Sequence, residues 1–372
     1  MTVSCILCCC LLAQVDGGWE LSGKTGGSEV RLDALARELS TSRELALEKI
    51  RTRLELAPGK LSIRWVIRLR RSGEGLAAVK AEAGWTEVGK TEVVVTIPAW
   101  RYLAFPSKVR RVVVHEAVHA VMASRIGTAE AYLAVPVWFR EGTALLVSGE
   151  GRERVNDRIS ATLLKGGSSA DFLAGVTGRQ VYPAEGYLSV LWIEQRLGAS
   201  GFRALLSRLA EGGVFKAELE KLTGLRLAGL EKAMLQDSVR QISRRISSPS
   251  ERLFKDALRQ AQEGHYDRSR ESLSVLGSIG ESLAVHDSAI FLHARTLVEE
   301  GRYSEAAGQL EGLLRKGYEV PWEPEIFEQL GRCRAGMGKP REAILAWKMV
   351  AERFPHDSAV QGRIAVLLDK LK

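Results

Sequence analysis

Apolar residues at Val109, Val112, Val113, Ala117, Ala120 and Val121 recur at the spacing of a helix face, and the pattern runs on to Ile126 before Gly127 stops it. Valine runs also suit strands, but the length of this pattern favours a helix, with Pro106 and Ser107 opening it and Ser107 as N-cap. Ahead of it, Lys90 to Pro98 reads as a strand, carrying Val93, Val94, Val95, Thr96 and Ile97. Behind it, Pro136 followed by helix formers opens a second helix. Further upstream, Glu29 to Leu56 reads as helix on Leu32, Leu35, Leu39, Leu45, Leu47 and Ile50, with a break near Ser40-Thr41-Ser42. Leu61 to Leu69 alternates as a half-buried strand, and Gly73 to Gly89 is loop-rich. Gly17 to Ser28 reads as a Gly-rich linker, and the polar run Arg240 to Ser250 ends the first domain.

Beyond that run the pattern repeats. Gly264, Gly301 and Gly338 stand 37 residues apart, each between two helical segments. Small residues recur seven before each glycine (Ala257, Ala294, Gly331) and five after it (Ser269, Ala306, Ala343). Small side chains at fixed positions let paired helices approach closely. The pattern resembles tetratricopeptide repeats, whose usual period is about 34. The third copy is nearest to that pattern, through Phe327, Leu330, Gly331, Ala343, Trp347 and Pro355. The aromatics Phe327 and Trp347 are expected in the core. The copies span about 250–286, 287–323 and 324–356, with a capping helix in 357–372.

The first helix carries His115-Glu116-Ala117-Val118-His119. Residues four apart lie one turn above each other on a helix, so both imidazoles can grip one metal ion. Glu116, beside the first of them, can reach a water on that metal and take its proton. A catalytic zinc needs a third protein ligand. Glu141, early in the second helix and flanked by apolar residues, is the candidate. The competing carboxylates are Glu130, expected in a loop, and Glu150, Glu153 and Asp157, in a charged stretch expected to face solvent.

His-Glu-Ala-Val-His followed by Trp138-Phe139-Arg140-Glu141-Gly142 resembles the gluzincin zinc metallopeptidases, in particular their bacterial peptidase MA-like group. The resemblance covers roughly residues 45–232. It implies Zn²⁺ on His115, His119 and Glu141, with Glu116 as general base for peptide-bond hydrolysis by a metal-activated water. It also implies a substrate-pairing edge strand at Glu92 to Ile97. After the second motif the family often continues with an aromatic helix, here Ala184 to Gly198 and then Phe202 to Gly212. The chain departs from the family pattern in two places. Some gluzincins place an imidazole-orienting acid one turn after the glutamate ligand, where Leu145 stands here. A family tyrosine falls at Pro183, so Tyr182 and Tyr187 are the candidates for a phenol that donates to the oxyanion.

The expected architecture is an α+β zincin-like metallopeptidase domain at 29–240, followed by an all-α tetratricopeptide-like domain at 250–372. The expected partners are a peptide or protein substrate and a protein bound by the repeats. Alternatives are a catalytically silent zincin scaffold and an adaptor acting through its repeats alone. A net charge of +8 comes from dispersed basic residues; the densest group, Arg64, Arg68, Arg70 and Arg71, reads as a solvated strand face, and no nucleic-acid motif accompanies it. The apolar run from Val3 to Val15 reads as an export signal within 1–15, followed by the linker at 16–28; it is too short to span a bilayer as a mature helix. That reading places the protein in the periplasm or cell envelope, with the cytoplasm as the alternative. Cys5, Cys8, Cys9 and Cys10 lie in this segment, so its removal would leave only Cys333 and no disulfide.

Overall fold

The computed structural model describes residues 14–15, 19–22, 29–68, 84–102, 106–164, 183–245, 248–278, 285–316, 322–353 and 358–370. The chain divides into two compact units, Met1–Gly151 with Val181–Asp237, and Arg152–Gln180 with Ser238–Lys372. Helices dominate, and a small mixed sheet lies in the first unit.

The first unit opens with β1 (Gln14–Val15) and β2 (Trp19–Ser22), followed by α1 (Glu29–Leu54). Strands β3 (Ser62–Arg68), β4 (Trp85–Val88) and β5 (Glu92–Pro98) come next, and the sheet order is β1-β2-β3-β5-β4. Part of the expected linker is therefore a strand: Trp19 is fully buried and meets Trp65 edge-on at 5.2 Å, because β2 lies parallel to β3. Part of the expected loop at Gly73 to Gly89 is also a strand, β4, which pairs antiparallel with β5.

The helix α1 runs unbroken through Ser40 to Ser42. Leu35, Leu39, Ser42, Ala46 and Ile50 form one buried stripe, and Thr41 returns its hydroxyl to the carbonyl of Arg37 at 3.1 Å. Packing along that stripe outweighs the weak helix propensity of the three residues.

After β5 come the short α2 (Ala99–Tyr102), a 3-10 turn at Pro106–Lys108, and α3 (Val109–Ile126). Lys108 holds the N-cap position expected for Ser107, which lies inside the 3-10 turn. Gly127 ends α3 in the left-handed region at φ 91°. Nearly every side chain of α3 is buried, since α1, the sheet and a later helix cover it on several sides. Then follow α4 (Ala129–Ala134), α5 (Val137–Ser148) and α6 (Gly151–Leu164). Next is α7 (Pro183–Ala210), kinked at Gly198, then α8 (Phe215–Thr223) and α9 (Leu227–Arg245).

Besides α6 from Arg152 on and the end of α9 from Ser238, the second unit contains α10 (Ser248–Gln262), α11 (Tyr266–Ser278), α12 (His286–Glu299), α13 (Tyr303–Leu314), α14 (Glu323–Gly336), α15 (Pro340–Arg353) and α16 (Ser358–Asp369). Helices α10 to α15 form three consecutive pairs. Each pair turns at a left-handed glycine: Gly264 at φ 80°, Gly301 at 76° and Gly338 at 73°. The next residue's N–H closes the same bond each time, His265 to Gln260 O, Arg302 to Leu297 O and Lys339 to Arg334 O, at 2.8–2.9 Å. This is one helix-ending motif used three times. Ala257, Ala294, Ser269, Ala306 and Ala343 are all fully buried between the paired helices. Phe327 and Trp347 are core residues, the latter donating its indole N–H to Glu328 O at 3.1 Å.

Among the described residues, no helix is long and apolar enough to cross a membrane. Val3 to Ala13, with the four N-terminal cysteines, lies outside the described residues. Cys333 is buried and free, and burial pushes its thiol up to about 11.

Candidate metal centre

The centre is assembled by α3 and α5. Glu141 is carried towards α3 because α5 packs backbone-close on α7: a Cβ on Gly142 would stand 2.2 Å from Gly186 O, and one on Gly186 would stand 2.6 Å from Trp138 O. Glycine after Glu141 is thus a steric requirement of this helix crossing.

His115, His119 and Glu141 converge. Their facing nitrogens, His115 Nε2 and His119 Nε2, are 3.2 Å apart. Glu141 Oε2 lies 3.3 Å from His115 Nε2, and Oε1 lies 3.4 Å from His119 Nε2. With one ligand atom from each lying within 4.8 Å of the others, the three residues form the one such group among the described residues able to hold a metal ion. Both histidines are largely enclosed, whereas the Glu141 side chain keeps 35% of its surface exposed, so the centre opens on the Glu141 side. Burial works against charge on His115, but its hydrogen bond to Glu141 and the charges of Glu116, Glu150 and Glu141 outweigh it and raise its pKa above the ordinary imidazole value. Burial likewise opposes ionisation of Glu141, yet its bonds to the two imidazoles hold its carboxyl well below the usual carboxylate range.

Glu116 is buried on the strand side of α3. Thr86, on β4, donates its hydroxyl to Glu116 Oε2 at 2.8 Å and lies 3.2 Å from the Glu116 carbonyl.

Two residues not expected from the sequence stand behind the imidazoles: Tyr132 within hydrogen-bond distance of His119, and Glu150 near His115 but beyond that distance, so His115 Nδ1 has no hydrogen-bond partner among the described residues. Tyr132 Oη sits 2.9 Å from His119 Nδ1. Tyr132 is buried, and burial pushes its phenol well above the usual range. Arg140 stacks 4.7 Å over the Tyr132 ring and donates through Nε to Val135 O at 3.0 Å, which pins the turn between α4 and α5. Glu150 Oε2 lies 3.7 Å from His115 Nδ1. Glu150 was expected to face solvent with Glu153 and Asp157; instead Glu150 and Asp157 are buried and Glu153 is half-buried. The physical reason at Glu150 is Gly149, which ends α5 at φ 81° and turns the chain back over α3. Leu145 is a core residue, and the acid nearest His115 Nδ1 comes instead from beyond the helix end.

Glu130 is exposed, on α4 rather than in a loop. Tyr187 is half-buried against the core, its ring in the space a Cβ on Gly151 would take, 2.0 Å from Cδ2. Tyr182 lies outside the described residues. Of the basic group, Arg64 pairs with Glu92 at 3.0 Å and Arg68 sits 5.9 Å over the Trp85 ring; Arg70 and Arg71 lie outside the described residues. No protein-family model matches the chain, and a search of curated proteins finds no match either.

Proposed function

We propose that the chain is a zinc-dependent peptidase of zincin type whose tetratricopeptide-like repeats dock a protein partner. The observation carrying this reading is the convergence of the three residues: the imidazole nitrogens stand 3.2 Å apart, and the two Glu141 oxygens face one each, Oε2 at 3.3 Å from His115 Nε2 and Oε1 at 3.4 Å from His119 Nε2. Donors bonded at about 2.0–2.1 Å around a tetrahedral zinc stand roughly 3.3–3.4 Å apart. Two imidazoles and a carboxylate are a donor set suited to zinc. Zinc held there supplies a Lewis acid that polarises a carbonyl and brings the pKa of water towards about 7.

His115, His119 and Glu141 hold the metal. Tyr132 orients the His119 ring by its hydrogen bond, and Glu150 sets a negative charge 3.7 Å behind the His115 ring. Glu116 takes a proton from the attacking water and passes it to the leaving amine. Substrate backbone pairing, expected along Glu92 to Ile97, moves one strand outward. Both sides of β5 are occupied, by β3 and β4. Among the described residues β4 is the edge strand on that side of the sheet, and it passes over Glu116 through Thr86. An extended peptide adds to that edge. The silent-scaffold alternative drew its support from the missing acid at Leu145; Glu150, 3.7 Å from His115 Nδ1, is the acid nearest to taking that place. The export assignment is part of the same proposal and rests on the Val3 to Val15 segment.

Elemental analysis tests the centre. Wild type carries one zinc, and Glu141→Ala and His119→Ala lose it; equal zinc in all three refutes the site. Glu116→Gln retains zinc and loses cleavage of a peptide library.

A further inference from the structure

We propose that Thr86 is the positioning residue for the general base, so that the strand offered to substrate also aims the carboxylate that activates water. This inference rests on the peptidase reading above.

Thr86 occupies an unusual place for a polar side chain. It pairs across β4 and β5 with Val95, which is fully buried, so the pleat turns both towards α3. The neighbouring pair on that face, Val88 and Val93, is apolar. A valine at 86 would complete this apolar row. The threonine hydroxyl instead bonds Glu116 Oε2 at 2.8 Å. A buried carboxylate oxygen needs such a donor, and the geometry has a chemical result. With Oε2 engaged as acceptor, the rotation of the carboxylate is fixed and Oε1 is the oxygen left to take a proton. Gly84, two residues earlier, keeps the strand close: a Cβ there would stand 3.2 Å from Glu116 Cγ and 3.0 Å from both Val112 Cγ1 and Ile97 Cδ1. Main chain at 84 and hydroxyl at 86 therefore hold Glu116 from two points of one strand. A peptide adding to the outer edge of β4 is registered on the same strand that fixes the base.

The test uses the full-length, zinc-loaded chain as wild type, Thr86→Val, Thr86→Ser and Glu116→Gln. Zinc content, steady-state kinetics on a cleaved library peptide and a crystal structure are measured for each. Thr86→Val keeps its zinc and a KM within about twofold, and loses kcat by roughly tenfold to a hundredfold, as for a misplaced base. Thr86→Ser restores kcat to within about threefold, because the hydroxyl returns. In the crystals the Glu116 carboxylate stays put in wild type and Thr86→Ser and swings away in Thr86→Val. Unchanged kcat in Thr86→Val, or an unmoved Glu116 in its crystal, overturns the proposal. Should wild type bind zinc and cleave nothing, the peptidase reading fails, while the position of Glu116 in the crystals still decides the role of Thr86.

Discussion

Glu150 Oε2 stands 3.7 Å from Nδ1 of His115, the ring nitrogen turned away from Glu141. When Nε2 binds a metal, Nδ1 carries the ring proton, and this buried carboxylate is the nearby negative charge, just beyond hydrogen-bond distance. Glu150→Gln keeps the size and removes the charge. It lowers zinc affinity by about ten- to a hundredfold, as loss of a carboxylate behind a histidine ligand does. Competition with a fluorescent chelator measures it, and wild-type affinity in the variant refutes the role.

Tyr132 acts on the other ring. Tyr132→Phe keeps the packing under Arg140 and removes the hydroxyl 2.9 Å from His119 Nδ1. The loss is about one neutral hydrogen bond, ~1 kcal/mol, or roughly fivefold in zinc affinity. The same chelator titration reads it. Tyr187→Phe, whose ring serves packing, leaves zinc affinity unchanged.

Gly331 makes the third helix pair depend on one missing methyl. A Cβ there would lie 1.9 Å from Trp347 Nε1, which donates to Glu328 O at 3.1 Å. Gly331→Ala therefore destabilises the second unit by about 2 kcal/mol or more, even after the helix-propensity gain of alanine. Denaturant titration by tryptophan fluorescence checks it, and a variant as stable as wild type excludes the clash.

Stability of the second unit also depends on pH through His293. Burial holds this imidazole below its ordinary value of 6.5; Arg270 and Arg302 push the same way and Glu305 opposes. Its Nδ1 meets Gln309 Nε2 at 3.1 Å. The unfolded chain takes a proton at this residue near 6.5, while the folded chain resists until lower pH. The contribution is therefore complete above 6.5 and declines as pH falls from there towards the folded value. Thermal unfolding between about pH 8 and about pH 5 shows this decline in wild type and a shallower one in His293→Gln. Equal slopes in the two chains reject it.

The legible parts of this chain were those with long periods. Helix α3 and its stop at Gly127 followed from the valine spacing, and the three glycines 37 apart coincide with three identical helix endings. Short and context-dependent features were not legible. Trp85–Val88 is too brief to show alternation, and it stands at the end of a Gly-rich stretch. Ser40 to Ser42 looked like a break because local propensity does not reveal that Ser42 falls on the buried stripe of α1. Tyr132 and Glu150 flank their imidazoles only through the turns at Arg140 and Gly149, which fold the chain back on α3. Glu150 carried one faint signal, a glutamate directly after a glycine at a helix end.

The nine-residue interval from Glu141 to Glu150 works as a fixed gauge, counted along one helix and closed by one left-handed glycine. Each residue added to α5 would rotate everything after it by about 100° around the axis. An insertion there would leave Glu141 facing its imidazoles and swing Glu150 away from His115. Length, more than side-chain identity, is what this stretch has least freedom to change.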